Sequence, residues 1–373
     1  MSEGKEKAIL AINCGSSSLK LGLYLSSPKG MTLLCEGEAE EIGRESSSFW
    51  LKSSGDKTTD KIDLSDHATA LKHMLEALRK RRGVEPYAIG HRFVHGGPLV
   101  REHQRITNEV AEQLRAAVPF APLHLPAALT VMESIEKEFP GVPQVVCLDT
   151  AFHRTLPDVA KTFALPDEAR KHGVERYGFH GISVESILAQ LNPVPERMVV
   201  AHLGNGSSIT AIRDGISIDT SMGLTPTGGV MMGTRCGDID PGVLIYLARH
   251  GYANPEQLEN ICDHRSGLLG VSGKSSDVRE LSSIRKTDKQ ADLALRMFCY
   301  QVKKTIGGMS AALGGLDLLI FTGGIGEHAA ELREAIGSGL ECLGRFEIRV
   351  LPAEEDLQIA RITAKLVGAD RAR

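Results

Sequence analysis

"AILAINCGSSSLKLGLY", residues 8–24, runs apolar as far as Ile12, then breaks into Asn13, Cys14, Gly15 and three serines, and resumes after Leu19 and Lys20. The pattern predicts two strands, 8–12 and 19–24. A plain hairpin needs only one or two turn residues, so the small hydroxyl turn predicts that something lies against it. A second stretch, "VVAHLGNGSSITAIRDG" (199–215), repeats the plan: apolar strand, polar residue, Gly turn with paired serines, second strand. Two copies of one hairpin imply two related halves, with a boundary expected near residue 150.

The chain has 373 residues, enough for two domains, and its 42% hydrophobic and 24% charged content is that of a globular protein with a sizeable core. A net charge of −4 offers no basic field for nucleic acid or an anionic membrane, so neither is expected as a partner. An anionic ligand would have to be held locally, by Arg, Lys, backbone N–H groups or a metal. Seven cysteines occur without a CxxC pair, which predicts reduced thiols and a cytoplasmic location. The start, "MSEGKEK", is hydrophilic; the apolar run behind it is too short for a signal segment, and no run reaches the ~18 apolar residues of a membrane span.

Further elements follow from periodicity. Residues 65–82 predict a helix with Ser65 as cap; 88–97 a strand ending in a Gly loop; 142–153 a buried strand delivering Asp149 at its end. Residues 197–221 read as three strands, the last two joined at Asp214-Gly215. Steps of three and four predict a helix over 289–313. Residues 316–336 read as strand, Gly loop and helix, 346–352 as a last strand, with a helix from about Glu354. The polar stretch 43–60 reads as a loop.

Three Gly-rich turns stand at strand ends: "NCGSSS", "HLGNGSS" and "GGIGEH". Glycine lets backbone N–H groups approach an anion, and three such turns predict phosphate binding. No GxxxxGK[ST] occurs, so this is no Walker loop, and no dinucleotide fingerprint follows "GGIGEH". Charged residues interrupt apolar or Gly-rich stretches where solvated charge is not expected: Arg92, His95, His124, Asp149, His180, Arg235, Asp238 and Asp240.

"INCGSSSLK", "GHRFVHGG", "APLHLP", "DTAFHRTLP", "RYGFHG", "HLGNGSS", "DTSMGLTP", "MGTRCGDIDP", "SGLLGVSGKSSDVREL", "FTGGIGEH" and "EEDLQIA" occur in this order. Together they resemble the acetate kinase family, from residue 8 to about 365. The resemblance implies two duplicated ribonuclease-H-like α/β domains around a nucleotide cleft, as in the acetate and sugar kinase, heat-shock chaperone and actin superfamily. The first domain would take 1–150 plus 352–373 and the second 151–351. It further implies a homodimer and the reaction ATP + acetate ⇌ ADP + acetyl phosphate with Mg²⁺, or Mn²⁺ in its place.

The resemblance also assigns residues. Arg92, His124, Asp149, His180 and Arg235 are expected to be catalytic, and Asn13 and Glu355 to be associated with the metal. Ser16, Ser18 and Lys20 would steady the phosphates. The nucleotide would lie on His202, Leu203, Gly204, Asn205 and Gly206, on Asp277, Val278 and Arg279, and on Gly324, Ile325, Gly326, Glu327 and His328. Val94, Leu123, Phe179 and Pro226, beside Arg92, would line a pocket for the acid's methyl group. The chain departs from the family at Leu125, Ile182, Val184, Gly228 and His328. Two other functions stay open: a kinase of propionate or another short acid, and a non-catalytic nucleotide-gated binding protein on the same fold.

Overall fold

A computed structural model describes residues 7–28, 30–53 and 55–369. The hydrophilic start read at residues 1–6 lies outside them. The chain forms two compact units. The first takes residues up to Ala151, Gly181–Ser186 and the chain from Glu354; the second takes Phe152–His180 and Ile187–Ala353.

The sheet of the first unit is built from β1 (Lys7–Cys14), β2 (Leu19–Ser27), β3 (Gly30–Glu40), β4 (Ser48–Ser53), β5 (Asp56–Lys61), β6 (Ala88–Phe93), β7 (Gln104–Arg105) and β8 (Gln144–Leu148), in the order β5-β4-β3-β2-β1-β6-β8-β7. The second unit holds β9 (Arg197–Leu203), β10 (Ser207–Arg213), β11 (Ile216–Thr220), β12 (Leu318–Thr322) and β13 (Glu347–Val350), in the order β11-β10-β9-β12-β13. In each unit the opening strand pairs antiparallel with the next, that one antiparallel with the third, and a parallel pair extends the other edge. This holds for β3-β2-β1-β6-β8 and for β11-β10-β9-β12-β13 alike. The repeated hairpin in the sequence is therefore the start of a repeated five-strand topology.

Strand alternation sends Ala8, Leu10 and Ile12 of β1 to one face, with the apolar side of helix His67–Arg82, and Ile9 and Ala11 to the other, with Ile359, Ala360 and Ile362 of the last helix, Glu355–Ala369. That helix lies so close to β6 that a Cβ on Gly90 would come within 2.1 Å of Thr363 Oγ1. In the second unit Leu295, Phe298, Val302, Ile306 and Leu313 of helix Lys289–Leu313 cover β9 and β10.

Four readings change. Asp66, not Ser65, caps the first helix by accepting from Thr69 N at 2.8 Å. Residues 43–60 contain the hairpin of β4 and β5: Phe49 and Leu51 of β4 are buried, whereas every residue of β5 is exposed, so β5 has backbone pairing and no apolar pattern to announce it. "GGIGEH" is itself a helical turn, Gly323–His328. Residues 181–186, read with the second half, group with the first unit, because Ile182 enters the core shared by Ile9, Ala11 and Ile359.

Candidate active site

In the first unit, three neighbouring strands end together. Parallel pairing sets Asn13 of β1 beside Arg92 of β6, and Arg92 beside Cys147 of β8, two residues before Asp149. Arg92 donates from Nη2 to Asp149 Oδ2 at 2.6 Å and from Nε to both carboxylate oxygens at 3.1 Å. Its Nη1 donates to Asn13 Oδ1 at 3.1 Å. Asn13 Nδ2 in turn donates to Glu355 Oε2 and to Asp356 Oδ1, both at 3.2 Å. Arg92, Asn13, Asp149, Glu355 and Asp356 thus form one connected polar network on the strand ends and the first turn of the last helix. Burial raises the Asp149 carboxyl above its ordinary value, with Arg92 the chief opposing influence. Burial does the same to Asp356, opposed first by Lys20.

Lys20, opposite Asn13 on β2, pairs with Glu38 of β3 at 3.6 Å. The serine turn is closed by Gly15 N donating to Ser18 O at 2.9 Å, and Ser16 is exposed on it. His124 precedes helix Leu125–Glu138 and is half-buried; Leu125 belongs to the core. Val94 is 5% exposed and Leu123 40%. His103 Nδ1 accepts from Leu148 N at 3.0 Å, and its Nε2 reaches Glu185 at 3.1 Å.

In the second unit His180 takes φ +59°, a left-handed backbone uncommon among non-glycine residues. Its Nδ1 lies 3.0 Å from Ser208 Oγ, and its ring stacks on His202 at 4.2 Å. Gly206 is flanked by both candidate catalytic groups: a Cβ there would meet His180 Nε2 at 3.2 Å and Arg235 Nη1 at 3.3 Å. Arg235 Nη1 donates to Pro226 O at 3.2 Å. His180, His202, Gly206, Arg235 and Pro226 therefore converge. Phe179 is 1% exposed.

Several expected nucleotide residues have structural work. Leu203 and Val278 are core side chains, so only their backbone is left for a ligand. Asp277 caps helix Val278–Ile284 through Arg279 N at 2.7 Å and binds the Arg279 guanidinium at 2.6 Å. Glu327 accepts from Gly323 N and Ala353 N, both at 3.1 Å, and braces the "GGIGEH" turn. Gly204 N is taken by Gly206 O at 2.9 Å. Asn205, Gly324 and His328 are exposed, Ile325 packs at the edge of the core, and Gly326 is buried. Among the departures, Ile182 and Val184 are buried, and Gly228 faces Asp238 Oδ1, 3.2 Å from where its Cβ would be.

Sequence reasoning passed over Asp356, Glu38, His103 and Ser208. The signals were present for two of them: the third acid of "EED", and the second serine of the repeated turn.

Among the described residues no group of three or more His, Cys, Asp or Glu is placed to hold a metal alone. The hard oxygens of Asn13, Asp149 and Glu355 still suit Mg²⁺, which binds through one or two carboxylates and takes other ligands from phosphate and water.

A family model described as the acetokinase family matches residues 8–361. The acetate kinase of Dictyoglomus turgidum is 42% identical over 397 residues, covering 96% of this chain and 98% of that one. The crystal structure of Porphyromonas gingivalis acetate kinase superposes with a TM-score of 0.86 at 37% identity, covering 97% of this chain and all of that one. A propionate kinase from Francisella tularensis gives 0.90 at 36% identity, covering 96% and 100%. With one topology in both units, paired polar clusters at their strand ends and this match across nearly its whole length, the chain belongs to the acetokinase family.

Proposed function

We propose that the protein interconverts ATP and acetate with ADP and acetyl phosphate by direct in-line transfer of the phosphoryl group to the acid's carboxylate. The observation that carries this reading is the Arg92 fork, which binds Asp149 and Asn13 at once. Of its five N–H donors these bonds engage three, leaving one on Nη1 and one on Nη2 for a substrate carboxylate. A carboxylate nucleophile is already ionised at neutral pH, so Asp149 orients rather than abstracts a proton.

Phosphoryl transfer through a loose transition state needs positioning and positive charge around the moving group. Arg235 and His180 supply donors to its equatorial oxygens, with His124 assisting. Mg²⁺ or Mn²⁺, when bound at Asn13, Asp149 and Glu355, neutralises phosphate charge. Lys20 and the Ser16 and Ser18 turn steady the phosphates. The nucleotide contacts 202–206, 277–279 and 324–328, through backbone at Leu203 and Val278. Val94, Leu123, Phe179 and Pro226 receive the methyl group.

A second copy of the chain is the further partner. On helix Pro241–Arg249 and the turn before it, Ile239, Val243, Ile245 and Tyr246 are all exposed, an apolar face suited to a homodimer. Light scattering of Tyr246→Asp against the parent chain tests this. Among the described residues no helix is long and apolar enough to cross a membrane, and the seven free cysteines favour a reducing compartment such as the cytoplasm.

The likeness to a propionate kinase supports one alternative, a preference for a slightly longer acid. A hydroxamate assay of acyl phosphate formation, run with acetate, propionate and butyrate and with ATP and GTP, decides between them. Absence of acyl phosphate with every acid would leave the non-catalytic reading.

A further inference from the structure

Two thiols lie together in the second unit, next to Arg235. The N–H of Cys236 donates to the carbonyl of Cys262 at 2.9 Å, and the two thiols are near enough to shift each other's ionisation. That hydrogen bond puts the two backbones in direct contact, as a disulfide requires, since it spans Cα atoms only ~4.4–6.8 Å apart. Both residues are half-buried, open to a small oxidant. Cys236 follows Arg235 directly, and Cys262 ends helix Pro255–His264 two residues before its close. The loop carrying Arg235 is already laced to the segment after Cys262: Ser266 N donates to Thr234 O at 2.9 Å, Leu268 N to Met232 O at 2.9 Å, and Thr234 Oγ1 to Asp263 O at 2.6 Å.

We propose that Cys236 and Cys262 form a dithiol site which a peroxide oxidises to an intramolecular disulfide, fixing the Arg235 loop and lowering turnover. The Cys262 thiolate attacks one peroxide oxygen and breaks the O–O bond, giving a sulfenic acid and hydroxide. The Cys236 sulfur then attacks the sulfenic sulfur and displaces its hydroxyl group. The Cys236 thiol proton and the proton released when Cys262 ionised convert both hydroxides to water. Two thiols and one peroxide thus give one disulfide and two waters. Burial raises both thiols, Cys236 to about 12, and contact with Cys236 offsets part of the rise at Cys262. Bridging is therefore slow near neutral pH and quickens as pH rises, because the thiolate is the nucleophile.

Forming the bond draws the sulfurs together to about 2.05 Å. The adjacent Arg235 must move with its loop, away from its bond to Pro226 O. A displacement of about 1 Å at a positioning group costs on the order of 10²-fold in rate. This loss of turnover rests on the role proposed for Arg235; the cross-link does not.

The test treats the full chain with hydrogen peroxide, blocks remaining thiols with iodoacetamide, and maps peptides by mass spectrometry. A linked pair of peptides containing Cys236 and Cys262 is expected, two hydrogens lighter than the reduced pair. The kcat is expected to fall at least ten-fold and to return on dithiothreitol. Cys262→Ser and Cys236→Ser should each form no such pair and keep their turnover under the same peroxide. Absence of the linked pair in the parent chain overturns the site. A linked pair with unchanged kcat, or equal inactivation of both serine variants, overturns its effect on turnover.

Discussion

Arg92 holds Asp149 by one edge of its guanidinium, with Nη2 at 2.6 Å and Nε at 3.1 Å, while Nη1 holds Asn13. No ammonium can reproduce that geometry, since it offers a point charge in place of a planar fork. Arg92→Lys is expected to raise the acetate KM roughly ten-fold, the equivalent of one charge-assisted hydrogen bond. Initial rates against acetate at saturating nucleotide measure this. An unchanged KM would take Arg92 away from the substrate.

Arg235 is placed differently. Its backbone carbonyl accepts from Met232 N and its Nη1 is bonded to the Pro226 carbonyl, with His180 on the same side of Gly206. In the role proposed for it, the cation at that position acts on the transferring group. Arg235→Ala is expected to lower kcat by roughly three to five decades, the scale of a lost arginine finger, with little change in ADP affinity by calorimetry. Turnover within ten-fold of the parent rules out this role.

Val94 follows the last residue of β6 and is almost fully buried. Val94→Ala should improve propionate against acetate by about 1 kcal/mol, the scale of one buried methylene. Competition between the two acids gives the ratio directly; no shift means that Val94 does not touch the acid.

The repeated topology was legible because it begins with a hairpin whose alternation and turn recur in both halves. Arg92, Asp149, His180 and Arg235 stood out because charge interrupts apolar sequence there, and Asn13 through the family resemblance. The networks joining them did not, since Asn13 meets Asp356 and Glu355 across most of the chain. Val278 and Leu203 show the converse limit: their motif marks a site, but burial commits their side chains to the core. Strand β5 escaped notice because every residue of it is exposed and only its pairing with β4 makes it a strand.

Beside Arg92 on β6, His91 is buried, and its burial couples stability to pH. Gln144 Nε2 donates to Glu136 Oε2 at 2.6 Å, which turns the amide oxygen of Gln144 toward His91. His91 Nε2 therefore carries the proton and donates to that oxygen at 2.7 Å. Its Nδ1 meets no partner among the described residues, so a second proton there would be a buried charge without a counterpart. Burial accordingly lowers the His91 pKa from 6.5 to about 4. The unfolded chain takes up this proton below 6.5 and the native chain does not. The stability involved is fully present above 6.5 and is lost as pH falls toward 4, in an amount of roughly 3 kcal/mol. His91→Gln keeps an N–H for Gln144 and removes the titration. Urea unfolding at steps from pH 7 to pH 4 should give the parent chain a slope steeper than the variant's by up to about 1.4 kcal/mol per pH unit. Parallel slopes in the two chains would show that His91 is not the group that titrates.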